Sequence, residues 1–318
     1  MDAPGALRRC VVVGGAGAVG GLFADRLLRS GADVLVVDAA APLPGRLPGA
    51  RFLKGDVTAP DGGLAAEFGR ADLVLLAVPE PVALTAAAGV AAAMRPGALL
   101  ADTLSVKGPI VREVRARAAA VEAVALNPMF APSLGFEGRP VAAVVVHDGP
   151  RARTLLDLVG SWGGRVVLVE EDEHDRLAAA TQALTHAAVL AFGLALDRLG
   201  VGVAELAAVA PPPHATLLAL LARIASGTPE VYWDVQAANP QAPAAREALA
   251  AGVRDLSALV EREGEERFAA ALGSLRELLG PDLGFYRDMC ARMFGGMSSY
   301  HPDALSTNVS EPSVMTER

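Results

Sequence analysis

The sequence predicts an α/β protein: a Rossmann-like, doubly wound, mostly parallel sheet followed by an all-helical domain. Three observations carry this expectation. Short apolar runs closed by Gly, Pro or Asp alternate with stretches of helical period as far as residue 170. A glycine-rich turn joins the first run to the first helical stretch. Beyond Glu170 the strand pattern stops, and apolar residues recur only at helical spacing.

Residues 8–13 form an apolar run that halts at glycines, as a buried parallel strand does. Residues 17–30 have helical spacing, with Gly31 as the stop signal. Residues 33–38 read as a second strand closed by an aspartate, and residues 72–78 as a third, broken by Pro79 and Pro81. Residues 98–101 and 121–126 give two more, separated by a helix over 106–120. Residues 141–146 and 165–169, with a helix over 151–162 between them, extend the same sheet. From Glu173 to about Met297 the chain reads as helices broken at Pro211, Pro212, Pro213, Pro229, Pro240 and Pro281. The expected domains are therefore residues 1–170, residues 171–297, and a polar Ser/Thr/Pro-rich tail over 298–318.

A chain of 318 residues with 52% hydrophobic and 20% charged residues can bury a large core in about two domains. Its net charge of -8 lacks the basic face that nucleic acid requires, although a local arginine can still bind a small anionic substrate. Cys10 and Cys290 are far apart and not in metal-ligand spacing, so the chain reads as a cytoplasmic protein without a disulfide framework or metal site. The N-terminal segment has no apolar signal core. Residues 177–196 carry no formal charge, but Thr181, Gln182, Thr185 and His186 interrupt them. A long core helix is expected there rather than a membrane span.

Gly15-Ala16-Gly17-Ala18-Val19-Gly20 is a G-x-G-x-x-G turn between the first strand and the first helix. Glycines there let the backbone approach a pyrophosphate at the helix N-terminus, where free N–H groups favour an anion. The spacing alone is weak in a glycine-rich chain; strand-turn-helix context and Asp38 strengthen it. A carboxylate at the end of the second strand binds ribose hydroxyls and repels a 2′-phosphate, which favours NAD over NADP, with Arg46 and Arg51 as the residues that would argue otherwise. Val78 and Pro79, closing the third strand, belong to the same expected cofactor site.

Several motifs follow in order. Residues 101–108 read Ala-Asp-Thr-Leu-Ser-Val-Lys-Gly, residues 126–132 Leu-Asn-Pro-Met-Phe-Ala-Pro, residues 173–175 Glu-His-Asp and residues 182–186 Gln-Ala-Leu-Thr-His. Ala222-Arg223 and Val231-Tyr232-Trp233-Asp234 come last. With the opening VVVGGAGAVGGLF, this succession resembles the prephenate dehydrogenase family over residues 9–297. The resemblance implies NAD-dependent oxidative decarboxylation of a cyclohexadienyl ring and a homodimer formed through the helical domain, whose interface would suit the uncharged 177–196 helix. It implies a small dicarboxylate substrate held by Arg223, Gln182, Met129 and an aromatic wall of Tyr232 and Trp233. Ser105, His186 and the residue at position 127 would serve the chemistry, Ser105 also touching the nicotinamide. His174 reads as a helix cap or salt-bridge partner. With no chorismate mutase segment before the glycine turn and only a short tail after Met297, feedback by an aromatic amino acid is not expected.

The departure is Asn127, where the family's HPMFGP motif has histidine. A hydroxyl-bearing ring needs an acceptor for its O–H proton when hydride leaves, and histidine suits that role. An asparagine amide cannot take the proton. If the ring carries an amino group, the nitrogen lone pair assists hydride loss and the product is a neutral aromatic amine. The expected substrate is therefore 4-amino-4-deoxyprephenate, giving 4-aminophenylpyruvate. Ordinary prephenate or arogenate dehydrogenation is the alternative, and an NAD-binding relative without catalysis a third reading. A β-hydroxyacid dehydrogenase would need a lysine in the helical domain, whereas Lys54 and Lys107 both precede it.

Overall fold

The computed structural model describes residues 5–41 and 45–297; the 298–318 tail lies outside them. The first of two compact units takes in Met1–Ala183 and Thr228–Ala245, and the second Leu184–Gly227 with Arg246 onward.

In the first unit, β1 (Arg9–Val13), β2 (Asp33–Asp38), β3 (Arg51–Lys54), β4 (Leu73–Leu76), β5 (Leu99–Asp102), β6 (Glu122–Pro128), β7 (Pro140–His147) and β8 (Arg165–Leu168) form one sheet in the order β3-β2-β1-β4-β5-β6-β7-β8. Every pairing is parallel except β6 with β7. Alternate residues feed opposite faces: Val11, Val13, Leu35 and Val37 join one core cluster, and Cys10, Val12, Val34 and Val36 the other. Helices α1 (Ala18–Arg29), α2 (Gly62–Arg70), α3 (Glu80–Ala93), α4 (Gly108–Arg117) and α5 (Pro150–Ser161) connect the strands. The order reverses between β1 and β4, and in such sheets ligands bind at that crevice, outside the carboxyl ends of the strands.

The sequence pattern did not reveal β3, α2 or α3. The β3 segment, Arg-Phe-Leu-Lys, is a half-polar edge strand. Apart from Glu80 and Thr85, residues 80–93 are apolar, mostly alanine, so α3 shows no contrasting face, yet Ala83, Ala86, Ala87 and Val90 are buried. The strand expected to stop at Leu126 continues through Asn127 and Pro128, because these pair with Ala142 and Val141 of antiparallel β7. Asn127 therefore stands inside the strand rather than beyond its end.

After β8 the chain is helical: α6 (Glu171–Ala178), a π-helical turn (Ala179–Ala183), α7 (Leu184–Leu199), α8 (Val203–Ala207), α9 (Pro212–Ala225), α10 (Pro229–Ala237), α11 (Ala242–Ala258), α12 (Glu265–Leu279) and α13 (Leu283–Met297). Among the described residues Glu171–Leu199 is the one helix long and apolar enough to cross a membrane by length and composition. The core-helix expectation needs correction, since α7 buries only Val189 and leaves Leu194 and Leu199 exposed. Within the second unit α7 and α9 approach closely: a Cβ at Gly193 would lie 2.8 Å from Leu221.

The carboxyl ends of β5 and β6 are tied by a fully buried cation. Lys107 Nζ donates to Asp102 Oδ1 at 2.7 Å and to the Leu126 carbonyl at 2.6 Å. Burial draws the ammonium pKa down, against the pull of Asp102. On the far side of the following loop, Phe130 packs edge-on to Phe136, and Phe136 in turn meets Phe23 and Trp162. Removing one partner of a buried pair strands the other charge. Replacing Lys107 by Met should therefore lower stability by about 3–5 kcal/mol in urea unfolding, with amide exchange accelerated at residues 126–128.

Candidate active site

The glycine turn is fixed by space. A Cβ at Gly20 would lie 2.3 Å from the Gly14 carbonyl oxygen, and one at Gly15 2.8 Å from Val36. Gly14, outside the six-residue pattern, matters as much: its φ is +79° and a Cβ there would stand 2.1 Å from the Ala77 oxygen and 3.0 Å from Val78. Gly17 N–H donates to the Gly14 carbonyl at 3.0 Å, but α1 has no side-chain cap and no acidic residue in its first turn, so the N–H groups from the exposed Ala18 onward are open to an anion. Asp38 accepts N–H from Ala16 at 3.0 Å and from Ala40 at 3.2 Å, which holds its carboxylate against the turn. Arg46 donates to the Ala16 carbonyl at 3.0 Å. Close backbone, an open helix terminus and a tethered carboxylate fit the pyrophosphate and ribose of a dinucleotide.

Asn127 lies beyond this turn, buried near the end of β6. Its Nδ2 is 3.1 Å from Nε2 of His174 on α6. His174 Nδ1 is 2.9 Å from Asp175 Oδ1, and Asp175 also accepts the Lys107 N–H at 2.8 Å and the Gly108 N–H at 2.9 Å. Burial pushes the Asp175 carboxyl up, but these donors outweigh it and its pKa lies below the ordinary value. Asn239 donates to the Asp175 carbonyl at 2.9 Å. His174 is thus more than a cap: it joins the α4 N-terminus to Asn127.

Met129, Ala142, His174, Leu177, Thr181 and Gln182 line a mostly apolar cleft of about 360 Å³. Gln182 Nε2 reaches Met129 Sδ at 3.6 Å, while its Oε1 is buried without a hydrogen-bond partner. Ser105 is half-buried in the loop between β5 and α4, two residues from Lys107. On α10, Val235 packs with Ala183 and Ala242, Tyr232 is half-buried and Trp233 is mostly exposed. Burial, with Asp234 and Asp175 nearby, raises the Glu80 pKa to about 7; its Oε2 is buried and unpartnered.

In the second unit His186 on α7 and Arg223 near the end of α9 come close enough to interact. Burial lowers the His186 pKa, and the Arg223 charge adds to that. Among the residues singled out from sequence, the structure gathers Met129 and Gln182 beside His174 and Asn127 in one unit, and His186 with Arg223 in the other. The His174–Asp175 dyad and Glu80 were not recognised as site residues. The adjacent Glu-His-Asp triplet was the available signal for the dyad, because an acid next to a histidine fixes its tautomer.

Two family descriptions match the chain: "Prephenate dehydrogenase, nucleotide-binding domain" over residues 57–143 and "Prephenate dehydrogenase, dimerization domain" over residues 170–274. A 4-amino-4-deoxyprephenate dehydrogenase of Streptomyces pristinaespiralis is 57% identical over 286 residues, 90% of this chain and 96% of that protein. Among solved structures, the prephenate dehydrogenase of Aquifex aeolicus in complex with hydroxyphenyl propionate and NAD+ shares the fold with a TM-score of 0.69 at 21% identity, covering 85% of this chain and 96% of the other. The arogenate dehydrogenase of Synechocystis does so with a TM-score of 0.60 at 16% identity, over 87% and 99% of the two chains. Its glycine turn, its ordered motifs and these matches agree, and the chain belongs to the prephenate dehydrogenase family.

Proposed function

We propose that this protein is an NAD-dependent dehydrogenase that oxidatively decarboxylates 4-amino-4-deoxyprephenate to 4-aminophenylpyruvate. The single observation that carries the substrate is Asn127, held where the family motif has histidine, with its amide nitrogen committed to His174. The similarity to the Streptomyces pristinaespiralis enzyme supports the same substrate.

NAD supplies the hydride acceptor. The Gly15–Gly20 turn and the open N-terminus of α1 would hold its pyrophosphate and Asp38 its ribose hydroxyls, with Val78, Pro79 and Ser105 as the residues that would meet the nicotinamide end. Arg223 binds a substrate carboxylate as a bidentate donor, and His186, kept neutral by burial and by that arginine, contributes a hydrogen bond without adding charge. Gln182 offers its buried, unpartnered Oε1, Met129 apolar surface, and Tyr232 and Trp233 an aromatic wall. Asn127 accepts an N–H of the ring amine through its carbonyl oxygen. The amine reacts as the free base, so its own lone pair assists hydride departure and loss of carbon dioxide then makes the ring aromatic. No side chain has to remove a hydroxyl proton.

On this reading residues 1–170 bind the dinucleotide and residues 171–297 carry the homodimer contact, where the exposed Leu194 and Leu199 of α7 would be covered. The enzyme is a cytoplasmic homodimer with a small dicarboxylate as its partner, and with neither nucleic acid nor membrane.

Steady-state kinetics with NAD should give a kcat/KM for 4-amino-4-deoxyprephenate at least about 100-fold above that for prephenate; a preference for prephenate would overturn the substrate assignment. Asn127→His should raise prephenate kcat/KM by about tenfold or more by supplying a base, while the amino substrate gains nothing. Arg223→Gln should raise KM about 10–100-fold by removing a charge-assisted contact. It should also move the acid limb of the pH profile: the His186 pKa lies below its ordinary 6.5, and removing the nearby cation must shift it upward, so activity would begin to fall at a higher pH than in the parent enzyme.

A further inference from the structure

We propose that His174 is the positioning residue for the contact to the ring nitrogen, locking the Asn127 amide with its carbonyl oxygen turned to the substrate; this rests on the amino-substrate reading above. Asp175 is fixed first. Its two oxygens accept the Lys107 N–H, the Gly108 N–H and the His174 ring, and its pKa lies below the ordinary carboxyl value. An ionised carboxylate can only accept, so the proton between Asp175 and His174 resides on Nδ1. Asn127 Nδ2, which can only donate, stands 3.1 Å from the other ring nitrogen, so this contact requires Nε2 to present a lone pair. Only an N–H can satisfy it. Turning the amide over would set the carbonyl oxygen against the lone pair, inside a site where His174 and Asn127 are each 2% exposed.

The backbone of Asn127 has no slack to relieve such a clash. It pairs with Ala142 of β7, and the carbonyl one residue earlier is held by Lys107 Nζ. The amide oxygen is therefore directed away from His174 by a chain of contacts that begins at the α4 N-terminus. An N–H on the ring nitrogen donates to this oxygen before and after hydride loss, and donates better as positive charge develops. That contact strengthens in the transition state and raises kcat. A ring hydroxyl can also donate to the oxygen, but its proton has to leave and a carbonyl cannot take it. His174 thus acts through Asn127 as a positioning residue.

The test uses full-length enzyme and compares His174→Met, which removes the acceptor at similar bulk, with His174→Gln, whose amide oxygen can replace Nε2. In His174→Met, kcat for 4-amino-4-deoxyprephenate should fall about tenfold or more. KM and NAD affinity, read by fluorescence titration, should change little. Prephenate turnover should change less, so the ratio between substrates narrows, and His174→Gln should recover most of it. Equal losses on both substrates would overturn the proposal in favour of a purely structural role. A second readout does not depend on turnover: 15N NMR of histidine-labelled enzyme, with the His174 resonances identified by their loss in His174→Gln. A neutral ring protonated at Nδ1 supports the lock. An Nε2–H ring overturns it whichever substrate is preferred, whereas a preference for prephenate beside an Nδ1–H ring overturns the substrate reading and leaves the lock standing.

Discussion

The buried ammonium of Lys107 is the contact on which the rest of the site depends. Its Nζ bridges Asp102 at the end of β5 and the Leu126 carbonyl in β6, so two neighbouring strands end in a fixed relation. Its backbone N–H, with that of Gly108, holds Asp175 from a helix 68 residues further along the chain. One residue thereby sets the position of Asn127 from the strand side and of His174 from the helix side. A buried ion pair of this kind gains little net stability, because desolvation offsets most of the attraction. Its value here is geometric. Asp102 also accepts the Leu104 N–H at 3.0 Å, which sets the start of the loop that carries Ser105.

Apolar packing complements this polar spine from the opposite side. Phe130, three residues after Asn127, fits against Phe136, and Phe136 is fully buried among Phe23 and Trp162. The end of β6 and the loop after it are therefore held at Leu126 by a cation and at Phe130 by aromatic rings, with Met129 N–H bonded to the Pro140 carbonyl at 3.1 Å between them. Such bracketing matters for chemistry because a reacting group displaced by an ångström loses much of its rate advantage. Leu126, Asn127 and Phe130 work as one unit, although only Asn127 meets the ring in the proposed reaction.

What could be read from the sequence follows the range of each interaction. The glycine turn and Asp38 are legible because their geometry is local and glycine has few other reasons to recur at that spacing. The strands of the sheet centre are legible because burial on both faces makes them continuously apolar. Arg51–Lys54 escaped notice as a half-polar edge strand, and Glu80–Ala93 because alanine on every face hides helical periodicity. Asn127 falls beyond the strand that the pattern shows because the antiparallel partner that extends this strand comes 15 residues later, and no local pattern announces it. The same limit hid the dyad: His174 meets Asn127 across 47 residues, and sequence shows only that an acid adjoins it. The 177–196 stretch was read as core because it lacks charge, yet absence of charge does not say whether the covering surface belongs to the same chain.

The asparagine and the dyad behind it also explain how one scaffold can serve two ring substituents. In the proposed lock, His174 Nε2 takes an N–H from whatever occupies position 127. Asparagine meets that demand with its amide nitrogen and has an oxygen left for the substrate. An imidazole at the same position would meet it with one ring N–H and have a bare nitrogen left. Both arrangements satisfy His174 and both present an acceptor, so the strand, the helix and the buried cation need not move between them. What differs is the fate of a proton: the bare nitrogen can hold one near neutral pH and the amide oxygen cannot. The substituent that must lose a proton to an acceptor is thereby separated from the one that need not, by the chemistry of one side chain on an unchanged support.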